Sequence, residues 1–211
     1  MLPIPKIFIE LLEDGEFKTY VELDVEITNF YLRKDDALLV SGVDGYVAQI
    51  KNSQLIEMPL KQNITDHCLC TSPDGTMHAA CENEKLFSYT NNTWFSLLQE
   101  VDADIYCVDA NDDEQIYLGG SKGFCAVLQG KMPRFKLPED SAFHFTVAFQ
   151  GQRYFGAGYN GIDVLKKDMV VPFKYRAFAF RTSANDNQML TSGIRYVSKF
   201  DGNGWLQITF N

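Results

Sequence analysis

The chain has 211 residues, 45% hydrophobic and 13% aromatic, with 28 acidic against 19 basic side chains and a net charge of −9. Such a composition supplies a sizeable core, but it lacks the basic footprint that phosphate backbones require, which excludes nucleic acid as the expected partner. No apolar run reaches membrane-span length. The N-terminal stretch MLPIPKIFIELLEDG has two prolines and early acids, unlike a secretion signal.

In chain order, KIFIELLEDGEFKTYVELD (6–24) reads as a hairpin turning at EDGE. The next segments are ITNFYLR (27–33), LLVSG (38–42), YVAQI (46–50) and LIEMPL (55–60), short apolar or alternating runs separated by turn residues, the pattern of antiparallel strands. The same series returns as DHCLCTS, MHAAC, KLFSY and WFSLL (66–98), and again as DIYCVDA, IYLGG, FCAVL and RFKLP (104–138). It returns twice more, as FHFTVAF, YFGAG, IDVL and VVPFK (143–174) and as AFAFRTS, MLTSG, YVSKF and WLQITF (177–210). No stretch has helical periodicity. A pair of small residues closes the second strand of each series: Ser41-Gly42, Ala80-Cys81, Gly119-Gly120, Ala157-Gly158 and Ser192-Gly193. Their second members, at 42, 81, 120, 158 and 193, are 39, 39, 38 and 35 residues apart. Fixed periods in this range signal repeat architectures.

Four antiparallel strands per unit, labelled a to d and repeated radially, define an all-β propeller. The expected organisation is a single domain, 1–211, with an N-terminal hairpin at 1–24 and units at 25–60, 61–99, 100–138, 139–175 and 176–211. The alternative is six blades, the first an incomplete one supplied by the hairpin. The SPDG turn (72–75) resembles that of WD-repeat proteins, and Gly119-Gly120 resembles a kelch repeat. The resemblance is to the β-propeller superfamily, because neither family's full signature is present.

No catalytic motif appears: no GxSxG elbow, HExxH or phosphate loop. The expectation is therefore a non-enzyme without metal or cofactor. His67, Cys68 and Cys70 invite a zinc reading, but His67 points to the opposite strand face from the two cysteines and no further ligand pair exists. His67 also aligns in a register column with Phe30, Ile105, His144 and Phe178, which reads as packing. DANDDEQIYLGG (109–120) places Asp109, Asn111 and Asp113 at alternate positions, yet the calcium-loop glycine and glutamate positions hold Glu114 and Gly120, so it reads as a hairpin turn. Trp94 and Trp205 begin outer strands and read as packing residues. The five cysteines lie inside apolar strands, so reduced, buried thiols in a cytoplasmic protein are expected.

Propeller strand order places d–a linkers and b–c turns on one face. There Glu82, Glu84, Glu100, Asp102, Asp104, Glu139 and Asp140 fall in neighbouring sectors, with Lys174, Tyr175, Arg176 and Arg195 as a basic sector across the ring. Such a split suits a charged protein partner, expected to be basic. Size, acidity and short loops resemble a bacterial immunity protein that neutralises a basic toxin, acting as a monomer when free. Two other readings are a small lectin-like glycan-binding propeller and a glycoside-cleaving enzyme.

Overall fold

The structure is a computed structural model and describes residues 7–13, 16–60, 64–83, 85–97, 101–110, 115–128, 142–167, 169–173, 179–193 and 195–209. A hairpin of β1 (Ile7–Glu13) and β2 (Glu16–Leu23) comes first. Five antiparallel sheets follow and form a five-bladed propeller. The first blade has strands β3 (Ile27–Leu32), β4 (Leu38–Gly42), β5 (Val47–Lys51) and β6 (Gln54–Glu57), and the second β7 (Asp66–Thr71), β8 (Met77–Cys81), β9 (Lys85–Thr90) and β10 (Thr93–Ser96). The third has β11 (Ile105–Ala110), β12 (Ile116–Gly120) and β13 (Cys125–Leu128). Its expected outer strand, RFKLP, lies outside the described residues. The fourth has β14 (Phe145–Phe149), β15 (Gln152–Gly156), β16 (Ile162–Lys166) and β17 (Met169–Pro172). The fifth has β18 (Arg181–Ala184), β19 (Met189–Ser192), β20 (Tyr196–Phe200) and β21 (Trp205–Thr209). Among the described residues, the only helical piece is a 3-10 turn at Val43–Gly45.

The turns follow from local chemistry. Asn52-Ser53 and Asn91-Asn92 join the third and fourth strands of their blades with φ of 50° and 60°, and of 49° and 58°. Two successive positive φ angles match the right-handed twist of the flanking strands, and asparagine tolerates them.

Period-2 alternation gives every blade two faces, and successive blades pack face to face. Leu39 and Val47 of the first blade meet Leu69, Ala79 and Phe87 of the second. Cys70, Ala80 and Leu86 meet Ile105, Leu118 and Ala126. Tyr117, Cys125 and Val127 meet Phe143 and Phe155, and Tyr154, Ile162 and Val164 meet Met189 and Phe200. The hairpin lays Ile9, Val21 and Leu23 on Val40, Ala48 and Ile50. Each fully buried Leu, Ile or Phe contributes about 1.5–3 kcal/mol.

The small pairs have a specific cause. A Cβ on Gly120 would stand 2.0 Å from the Asp104 carbonyl oxygen, and one on Gly42 2.2 Å from that of Glu26. At both places the inner strand enters the blade against the neighbouring backbone. In the fourth blade the pair is Gly156-Ala157 rather than Ala157-Gly158. Ala157 N–H donates to the carbonyl four residues on, as Gly42 and Gly120 do, and a Cβ on Gly156 would collide with the Phe145 ring.

Candidate functional site: the mouth of the central channel

In each of the first three inner strands the ladder register skips one residue. The ladders step from Ile27↔Gly42 to Asn29↔Ser41, from Asp66↔Cys81 to Cys68↔Ala80, and from Ile105↔Gly120 to Cys107↔Gly119, so Thr28, His67 and Tyr106 are bulged. His144 and Phe180 hold the same place in the last two blades, just before the pairs Phe145↔Gly156 and Arg181↔Ser192. A bulge releases one side chain from the alternation and re-aims it. The equivalent column is therefore Thr28, His67, Tyr106, His144 and Phe180. The expected column of Phe30, His67, Ile105, His144 and Phe178 was out of register at Phe30 and Ile105, because an extra residue in an inner strand cannot be seen in alternation alone; Phe178 lies outside the described residues. Ile105 is instead fully buried between blades.

Three of these residues assemble a site. Tyr106 and His144 stack in parallel with ring centroids 5.5 Å apart, and the Phe180 ring lies 5.7 Å from His144. Tyr159 stands edge-on to Phe180 at 5.3 Å and is 72% exposed. Tyr106, His144, Phe180 and Arg181 line a cavity of about 360 Å³. Burial, and then the charge of Arg181, hold the His144 pKa below its ordinary value, which keeps the ring neutral. The result is an aromatic cup with a cation at its rim, suited to an aromatic or apolar anchor carrying a nearby acid.

The cup opens on the face of d–a linkers and b–c turns. Their association is visible in the bonds from Val43 N–H to the Glu26 carbonyl, Glu82 N–H to that of Thr65 and Ser121 N–H to that of Asp104. Asp102 and Asp104 are exposed there, and Asp102 forms a 2.8 Å ion pair with Lys122. Glu82 is half-buried, and its Oε1 accepts from the Thr65 N–H at 3.0 Å, so it ties a turn to a linker. Arg195 is exposed. Glu84, Glu100, Glu139, Asp140, Lys174, Tyr175 and Arg176 lie outside the described residues.

Of the calcium-loop candidates, Asn111, Asp113 and Glu114 lie outside the described residues. Asp109 is paired with Arg153 of the fourth blade, whose guanidinium lies 4.2 Å from the Tyr117 ring centre. Burial pushes the Asp109 carboxyl up, against the pull of Arg153. Among the described residues no group of His, Cys, Asp and Glu is placed to hold a metal. Cys70, Cys81, Cys107 and Cys125 are buried free thiols, and Cys68 is partly buried. His78 escaped the sequence reading. Its Nε2 lies 2.7 Å from Ser72 Oγ and its Nδ1 2.6 Å from Ser88 Oγ, all three being buried. Burial pushes its pKa down to about 4. The trio has the contacts of a nucleophile–base pair without access for a substrate, and it braces the SPDG turn instead.

Fold and site together define a β-propeller with an aromatic channel mouth. Solved structures resemble it in fold: a Bacteroides caccae protein of unknown function (TM-score 0.62, 11% identity, covering 82% of this chain and 73% of that one) and the WD40 β-propeller domain of Doa1 (0.67, 10%, 87% and 68%). The extracellular domain of a putative one-component system from B. thetaiotaomicron is similar too (0.67, 12%, 88% of this chain but 28% of that one). No protein-family model and no curated protein sequence matches the chain.

Proposed function

We propose that the chain is a non-enzymatic binding module that receives a protein partner on the face of d–a linkers and b–c turns, anchored in the channel mouth. The observation that carries this reading is the cup of Tyr106, His144, Phe180 and Tyr159 with Arg181 at its rim. Aromatic and arginine side chains in a concave, partly desolvated setting are the groups that concentrate binding energy. The Doa1 domain, a WD40 propeller, supports an interaction module in general terms. A narrower reading, an immunity protein that blocks a basic toxin, draws support from the charge of −9 and from exposed Asp102 and Asp104 beside the cup. A glycan platform repeated in every blade is not favoured, since the first blade carries Thr28 at the aromatic position.

The test is affinity capture from source lysate by wild type and by a Tyr159→Ala/Phe180→Ala double variant, with mass spectrometry of what is held. One protein retained by wild type and lost by a variant that melts normally supports the reading. Equal retention by both sinks it.

A further inference from the structure

The rings at the channel mouth form one continuous arc. Tyr106 stacks on His144 at 5.5 Å, His144 lies 5.7 Å from Phe180, and Phe180 meets Tyr159 edge-on at 5.3 Å. The far end of the arc is fixed by backbone. Gly158 has φ of +55°, and a Cβ there would stand 3.2 Å from His144 Cδ2 and 3.3 Å from Phe180 Cε1, so the turn carrying Tyr159 lies directly against the rings. The Ala179 N–H donates to the Gly158 carbonyl at 3.1 Å and ties that turn to the chain entering the fifth blade. A wall held this way is in place before a ligand arrives, which lowers the cost of binding.

Among the described residues, Arg181 is the only charged side chain lining this cavity. The ion pairs of the described residues use Arg33, Lys51, Lys122 and Arg153, and none uses Arg181, which is exposed. An arginine at the rim of an apolar arc, without an acid of its own chain, selects a carboxylate held next to a ring. Size narrows the source of that carboxylate. A cavity of about 360 Å³ takes one bulky residue, whereas an internal segment must bring two chain arms through the same mouth.

We propose that the channel mouth captures the C-terminal residue of its protein partner, an aromatic one, with the side chain against the arc of Tyr106, His144, Phe180 and Tyr159 and the terminal carboxylate on the Arg181 guanidinium. The inference rests on the channel mouth being the partner's anchor point. In a C-terminal aromatic residue the ring and the carboxylate hang from the same Cα, so both arrive together at the two groups that want them. Capture of a chain end through its carboxylate is a recurrent recognition mode. Charge favours the same occupant. A chain of net charge −9 repels an acidic partner surface. A basic protein still carries one carboxylate at its chain end, and that one satisfies Arg181.

The probes are the tetrapeptide N-acetyl-Gly-Ser-Gly-Phe with a free carboxylate, the same peptide as its carboxamide, and the carboxamide of N-acetyl-Gly-Ser-Glu-Phe. Each is titrated calorimetrically into the full chain. We expect saturable one-to-one binding of the free acid, and binding weaker by about tenfold or more for both amides, since each lacks the terminal charge-assisted hydrogen bond. Arg181→Gln should bring the acid down to the level of its amide and leave the amide unchanged, while Phe180→Ala should weaken acid and amide alike. Arg181 is exposed, so Arg181→Gln should melt as wild type does. Asp186→Lys, exposed at the opposite end of the same blade, should bind as wild type does. Equal binding of acid and amide, full-strength binding of the glutamate-containing amide, or no binding at millimolar peptide overturns the proposal. So does glucuronate, an acidic sugar, binding more tightly than the free-acid peptide. The wider reading fails separately: if the Tyr159→Ala/Phe180→Ala variant loses the captured protein while no free-acid peptide binds, the anchor is an internal segment and only the terminal carboxylate falls.

Discussion

The indole Nε1 of Trp94 donates a 2.7 Å hydrogen bond to the carbonyl of Met58, joining the outer strand of the second blade to the linker leaving the first. The same ring lies 5.0 Å from Tyr89 and packs against the core between these blades. Trp94→Phe keeps much of the apolar contact but strands the Met58 carbonyl. The expected cost is about 1–2 kcal/mol, read as a lower urea midpoint with an unchanged slope.

His78 makes stability depend on pH. Its folded pKa of about 4 lies below the ordinary 6.5, so between these values the unfolded chain binds the extra proton. Stability is then complete above about 6.5 and is lost as the pH falls toward 4, by about 3 kcal/mol in total. His144, also lowered, acts in the same sense. His78→Gln should be less stable than wild type at pH 8 and should lose less on going from pH 7 to 4.5. Denaturant melts at the two pH values check this; parallel losses in both proteins would assign the effect to other groups.

Gly120 and Gly75 should respond differently to alanine. At Gly120 the new Cβ meets the Asp104 backbone, which cannot move without shifting the inner strand. The expected loss is about 3 kcal/mol, and expression at 37 °C should suffer. Gly75 has φ of +87° with open space around it, so Gly75→Ala should cost only about 1 kcal/mol in backbone strain. Thermal melts of the two variants give the comparison.

Charge reversal at Asp102 and Asp104 should slow association with a basic partner and flatten its salt dependence, since steering acts over long range. Folding should move by less than about 0.5 kcal/mol. Asp35 and Asp36, exposed on the opposite face, serve as controls. Equal effects from both pairs would mean that net charge acts without a located surface.

The five-unit architecture could be read because each blade repeats one strand series with its own turns, and because Trp94 and Trp205 recur at the head of an outer strand. The channel mouth could not be read to the residue. Its column depends on a bulge at Thr28, His67 and Tyr106 that is defined only by pairing across strands. The spacing of these residues from His144 and Phe180 was present in the sequence, but nothing local distinguishes a bulged residue from a paired one. The Asp109–Arg153 pair joins positions 44 apart in different blades, beyond any local rule. His78 looked like one more residue of an apolar run until Ser72 and Ser88 were seen on either side of it.

The inner-strand bulge separates two jobs that a regular strand must do together. A paired residue there is held by alternation to one blade face, and changing it disturbs a packed layer. The residue at the bulge position stands outside the strict alternation of the ladder, and threonine, histidine, tyrosine and phenylalanine occupy it in blades of the same build. A change of side chain at the lining of the channel therefore falls on the stacked rings of Tyr106, His144 and Phe180 before it falls on the layers between blades.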